Sequence, residues 1–173
     1  MSISVGVEYA LHCLIYLAIP TTSRSIGIKE MAAFQGISET YLSKIFMKLR
    51  KKGLVSAVPG VKGGYRLSRE ADEITFWDVV EAIEGPHYRF QCAEIRQHMA
   101  IVDPHELPPS FSECPCLISE VMKGAEDQYR TYLKGRTIGW LYRMVKDKLD
   151  GPYWKAIEVL GCPLRTGCRP VKR

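Results

Sequence analysis

Two short segments hold the residues best suited to chemistry. In Val7-Glu8-Tyr9-Ala10-Leu11-His12-Cys13, Glu8 and His12 stand four apart, on one face if the segment is helical. Far along the chain, Cys92, Cys114 and Cys116 lie in or beside a proline-interrupted stretch. Thiolates are the usual ligands of iron–sulfur clusters, and histidine replaces cysteine on one iron of some two-iron clusters, raising the potential. A carboxylate is rarer in that role. Glu8, His12, Cys92, Cys114 and Cys116 are therefore five candidate metal ligands for the four positions of a 2Fe-2S cluster, so one of them, Cys92 or a member of the adjacent pair, is a candidate bystander.

Plainer readings stand beside this one. A Glu and a His at i, i+4 also make an ordinary helix-surface pair worth a few tenths of a kcal/mol. Cys114-Pro115-Cys116 is a short chelate for a structural zinc site, which usually takes four Cys or His ligands at longer spacing. Cys13 follows an apolar pattern and reads as core. Cys162 and Cys168 either pair or stay free. In a reducing compartment such cysteines are ligands, redox groups or buried small hydrophobes rather than structural disulfides.

The elements that must position these groups begin with a helix at about 3–19. A second helix, Ile28 to Gln35, carries Ile28, Met31 and Ala32 on one side and stops at Gly36, a residue able to take the left-handed turn conformation. Ser38 is a good N-cap for a third helix, Glu39 to Lys52, with Leu42, Ile45, Phe46 and Leu49 as its buried stripe. Two short strands, 54–58 and 64–68, then flank a glycine-rich turn, Pro59 to Gly63. Helix-turn-helix followed by hairpin is a winged-helix pattern. Ser38, Thr40, Tyr41, Ser43 and Lys44 are the base-side candidates, because the first residues of a recognition helix reach base edges. Lys48, Lys51 and the wing-tip Lys62 are the candidates for DNA phosphate, with Arg50 and Lys52 also on the basic end of the helix.

Thr75 caps a further helix to residue 84, with Phe76, Val79, Val80 and Ile83 as its apolar side. From Gly85 to Pro115 helix signals fade. Leu117, Val121, Ala125, Tyr129, Tyr132 and Leu133 then recur at three- or four-residue steps, marking a long helix whose apolar stripe is either plain core or, given its length, its place after the loop and the lack of a second layer of helices, a dimer contact. A shorter helix runs from Gly139 to Leu149. The expected organisation is a winged helix-turn-helix domain at 1–84, a sensor loop at 85–116, a dimerisation helix and its successor at 117–150, and a tail of unassigned role at 151–173. The fold class is mainly α with a small β-wing.

Charge agrees with a nucleic-acid partner. Residues 1–70 hold ten Lys and Arg against four Asp and Glu, whereas residues 71–173 hold fourteen against fifteen. The positive excess therefore lies in the winged-helix part, as phosphate neutralisation requires. No apolar run of about 18 residues suggests a membrane span, and Glu8 and His12 interrupt the N-terminal apolar pattern, unlike a signal peptide. A cytoplasmic location is expected. His87, His98 and His105 have no paired nucleophile and no phosphate-cradling motif is present, so an enzyme is not expected.

Gly36-Ile37-Ser38, Tyr41-Leu42, Leu49-Arg50-Lys51, Gly53-Leu54-Val55 and Gly63-Gly64-Tyr65 resemble the Rrf2 family of bacterial regulators, the group that includes IscR, NsrR and RsrR, over roughly residues 2–145. The resemblance implies a homodimer that binds double-stranded DNA at a palindromic operator, its affinity controlled by a redox- or nitric-oxide-sensitive iron–sulfur cluster. It also implies that the long helix crosses onto the partner subunit. The Glu8 and His12 pair is similar to the RsrR arrangement, in which such a pair from one subunit completes a two-iron cluster held by cysteines of the other. Two positions depart from common family patterns: Ser119 stands where IscR-type members have histidine, and Pro59 where some members have a wing arginine. The alternative implied by the family is a cluster-free regulator responding to thiol oxidation or a small ligand.

Overall fold

The computed structural model describes residues 3–19, 25–60, 63–98, 109, 111, 114–148 and 151. Among them the elements run α1 (Val5–Leu17), α2 (Ile28–Gln35), α3 (Glu39–Lys51), β1 (Val55–Val58), β2 (Gly64–Leu67), α4 (Phe76–Glu84), α5 (Leu117–Lys134) and α6 (Ile138–Lys148). They belong to two compact units, one made of Met1–Gly85 with Lys134–Arg173 and the other of Pro86–Leu133.

In the first unit, local chemistry sets the helix ends. Gly36 closes α2 at a φ of 68°, the left-handed conformation that costs glycine nothing. Ser38 opens α3 by accepting the Tyr41 N–H at 3.1 Å. Thr75 and Asp78 cap α4 reciprocally: the Asp78 N–H donates to Thr75 Oγ1 at 3.0 Å, and the Thr75 N–H to Asp78 Oδ2 at 2.8 Å. The four apolar residues of α3 face a core that includes Leu14, Ile26, Met31, Leu54, Ile74, Val79 and Ile138. Each such side chain contributes about 1.5–3 kcal/mol by leaving water. On α4 the core residues are Trp77, Val79, Val80 and Ile83, so Trp77 takes the place expected for Phe76. Phe76 is the first residue of its helix and meets Trp140 of α6 edge-on at 6.4 Å.

The wing is an antiparallel pair with Val55 opposite Leu67 and Val58 opposite Gly64. Ile26 extends it, donating to Tyr65 at 3.0 Å and accepting from it at 2.9 Å. That approach needs Gly64, where a Cβ would collide with the Ile26 carbonyl. Lys62 lies outside the described residues, as do Cys162 and Cys168. Helix α6 joins the same unit: the Phe76 N–H donates to Arg136 O at 2.8 Å and the Ile138 N–H to Ile74 O at 2.9 Å. Arg143 adds a two-pronged ion pair to Asp72, both contacts at 2.8 Å.

The second unit is an irregular segment, with one 3-10 turn at Ile95–Gln97, and helix α5. The apolar stripe of α5 is not core within the chain. Leu117, Val121 and Tyr132 are 74%, 72% and 63% exposed, and Ile118 and Met122 are exposed with them. The buried residues of this helix are Ser119 and Glu126. Glu126 accepts the Arg89 N–H at 2.8 Å and Arg130 Nη2 at 2.9 Å. The Arg130 guanidinium lies 3.9 Å from the centre of the Tyr88 ring, and the Tyr88 hydroxyl donates to Asp127 at 2.9 Å. Burial pushes the Glu126 carboxyl up, but Arg130 and the N–H groups of Arg89 and Phe90 together hold it below the usual carboxylate range. A polar anchor thus fastens residues 88–90 to α5, while the helix turns its apolar side outward.

Candidate functional site

The basic face is built on α3. Ser38, Thr40, Tyr41, Lys44 and Lys51 are exposed and Ser43 is half-buried, at the end of the helix where base contacts are made or along its outer side. Lys48 is exposed along its stem, and its ammonium donates to the Ile83 carbonyl at 2.7 Å, near the C-terminal end of α4. Lys52 pairs with Glu81 of the same helix. These two lysines fasten α3 to α4 as well as adding positive charge. Tyr41 is 39% exposed, and its ring meets Tyr9 of α1 edge-on at 6.0 Å.

Tyr9 sits between the two candidate ligands of the first helix. Glu8 and His12 are both exposed on α1. Cys13, the next residue, is fully buried and accepts from Gln35 Nε2 at 3.4 Å. Burial pushes its thiol up to about 12, so it is an inert core group.

The second unit brings two of its three candidate cysteines together. Cys116 immediately precedes α5, and its sulfur accepts the backbone N–H groups of Ser119 and Ile118. Cys92 lies close enough to act on that thiol, and each shifts the other's titration. The Ser119 N–H, against burial and with help from Ile118 and Cys92, holds the Cys116 thiol below its ordinary range. At Cys92 the Glu94 N–H draws the thiol down, but burial, the Glu94 side chain and Cys116 outweigh it and leave the group raised. Cys114 is exposed, and its backbone carbonyl accepts from Arg96, which is itself paired to Glu94 at 3.0 Å. A cavity of about 510 Å³ opens beside Cys92, lined also by His87, Tyr88, Phe90, Glu94 and Lys123.

Two thiols lying close together are the right donors for one iron of a two-iron cluster, and so fit half of its ligand set. Among the described residues no group of three or more His, Cys, Asp or Glu is gathered as a metal site. A two-iron cluster on these two thiols would need two further ligands. The Glu126 anchor that fixes the approach to Cys92 was not anticipated from the sequence. Its trace there is the i, i+4 spacing of Glu126 and Arg130, a pattern common on any exposed helix.

Among the described residues no helix is long and apolar enough to cross a membrane. Residues 3–144 match the model of the Rrf2 family, described as iron-dependent transcriptional regulators. A putative HTH-type transcriptional regulator of Aquifex aeolicus is 33% identical over 138 residues, 80% of this chain and 89% of that protein. IscR of Cereibacter sphaeroides is 40% identical over 86 residues, 49% of this chain and 56% of that protein. The structure of CymR, the global cysteine regulator of B. subtilis, superposes with a TM-score of 0.59 at 26% identity, covering 83% of this chain and 98% of CymR. The relatives are regulators of transcription rather than enzymes. With the winged helix formed as the residues foretell and the family model spanning nearly all of the described chain, the protein belongs to the Rrf2 family of winged-helix transcriptional regulators.

Proposed function

We propose that the protein is a homodimeric regulator that binds a palindromic operator through α3 and the wing, and that a 2Fe-2S cluster sets its DNA affinity. The observation that supports the sensing half is that Cys92 and Cys116 lie close enough to shift each other's titration. These two residues would hold the cluster from one subunit, Glu8 and His12 would complete it from the other, and Cys114 would be the bystander. When bound, such a cluster supplies a group whose net charge changes with its oxidation state. The chain's own residues carry the consequence. Glu8 and His12 flank Tyr9, and Tyr9 supports Tyr41 at the reading end of α3. A small displacement of α1 is thereby passed to the recognition helix, shifting the population of dimers whose two helices stand about one DNA turn, roughly 34 Å, apart. The exposed apolar side of α5 supplies the dimer contact.

DNA binding is tested by a salt series. Lys51→Ala should flatten the slope of log affinity against log salt by about one unit, the loss of one phosphate contact. Lys48→Ala should in addition lower the thermal midpoint, because its hydrogen bond to Ile83 contributes about 1 kcal/mol to the packing of α3 on α4. Tyr41→Ala should relax sequence preference more than nonspecific affinity. Unchanged slopes for Lys51→Ala and Lys48→Ala together would remove α3 from the DNA interface.

A further inference from the structure

We propose that Met47 reads a thymine of the operator, its side chain packing on the C5-methyl group in the major groove. The contact rests on the reading of α3 as the helix that meets DNA, and adds an apolar reader to the polar ones named there. Helical geometry singles the residue out. At about 100° per residue, Thr40, Lys44, Met47 and Lys51 fall within about 30° of the direction opposite the buried stripe of Leu42, Ile45, Phe46 and Leu49. They form one line down the middle of the outward face, and all four are exposed. Other long side chains of the helix are turned to its neighbours: the Tyr41 ring meets Tyr9 of α1, the Lys48 ammonium donates to the Ile83 carbonyl, and Lys52 pairs with Glu81.

Met47 is the large apolar member of that line. It is 60% exposed, more than any other large apolar side chain among the described residues of its unit. A lone exposed methionine is ordinary on a protein surface. This one stands between two exposed lysines, about one helical turn from each, on a line that carries no carboxylate. An anionic duplex drawn to Lys44 and Lys51 therefore brings its groove onto the turn from which Met47 projects. Complementarity then selects the base. Of the groups that base pairs present in the major groove, the thymine methyl is the apolar one; the rest are hydrogen-bond donors and acceptors. A thioether offers no donor and only a weak acceptor, so packing it on any of those groups displaces water without replacing its hydrogen bond. The same contact thus favours thymine and disfavours the other bases. Three rotatable bonds let the unbranched side chain settle on the methyl group.

The test uses the full-length dimer and an operator that it selects from a pool of random duplexes. Each thymine is replaced in turn by uracil, which deletes the C5-methyl group and keeps every hydrogen-bonding group. With the unsubstituted protein, uracil at one position of a half-site should weaken binding about fourfold, the effect of one buried methyl group, and about fifteenfold when both half-sites are changed. Met47→Ala should bind the thymine and uracil operators with equal affinity, whereas Met47→Leu should keep the discrimination. Both variants should melt with the unsubstituted protein, because Met47 lies outside the core. A uracil penalty that is the same with and without Met47 at every thymine, or the lack of any penalty, overturns the proposal. The salt series for Lys51→Ala separates that failure from failure of the wider reading. A flattened slope with an unaltered uracil penalty keeps α3 on the DNA and removes Met47 alone; an unchanged slope with an unaltered penalty removes α3 as well.

Discussion

Aspartate at Val121 is expected to split the protein into monomers and to weaken operator binding by about 100-fold or more, the loss of linkage between two half-site contacts. Val121 lies with Leu117, Ile118, Met122 and Tyr132 on the side of α5 that this chain leaves in water. A patch of large apolar side chains on one helix marks an interaction surface, and its own chain buries the opposite, polar positions Ser119 and Glu126. An unpaired carboxylate pressed into such an interface costs several kcal/mol in each subunit. Sedimentation of Val121→Asp should give the monomer mass, with melting of the winged-helix unit unchanged. A dimer that persists at micromolar concentration places the interface elsewhere.

Glu126→Ala should loosen the second unit by about 3–5 kcal/mol, the usual cost of removing one partner of a buried ion pair. The carboxylate is nearly inaccessible, and its loss removes the ion pair to Arg130 and the acceptor that Glu126 offers to the Arg89 and Phe90 N–H groups. Hydrogen exchange should report the change locally: protection at residues 88–92 and along α5 falls, while α1 to α4 keep theirs. Because Cys92 follows this anchor by only a few residues, the closeness of Cys92 to Cys116 should be lost at the same time. Glu126→Gln, which keeps an acceptor and the shape but not the charge, should fall between. Unaltered exchange at residues 88–92 in the alanine variant would show that the anchor does not hold the segment.

What was legible in the sequence was what depends on neighbours along the chain. Gly36 as a left-handed stop, Ser38 and Thr75 as caps, and the stripe of α3 are each decided within a turn or two of helix, and the structure forms them as the residue types require. The stripe on α5 was legible as a stripe, but its direction depends on what the other side of the helix binds. That is a buried carboxylate held by a backbone group 37 positions away, and spacing cannot reveal it. The Asp72–Arg143 clamp joins residues 71 apart and was hidden for the same reason. The five candidate ligands could be collected by type, but which of the loop thiols act on one another, Cys92 and Cys116, is a matter of three dimensions. The irregular segment carries no periodicity from which to infer which sulfurs meet.

A cluster shared between subunits is tested most directly by complementation. His12→Ala protein keeps Cys92 and Cys116, whereas a Cys92→Ala, Cys116→Ala double variant keeps Glu8 and His12. Each should reconstitute little visible absorbance alone. After the two are mixed, exchanged and supplied anaerobically with iron, sulfide and a thiol reductant, each heterodimer should rebuild one complete site, and the absorbance of a two-iron cluster should appear in proportion to the heterodimer fraction measured by native mass spectrometry. Heterodimers that form in quantity yet show no absorbance beyond that of either variant alone would contradict a site built from both chains.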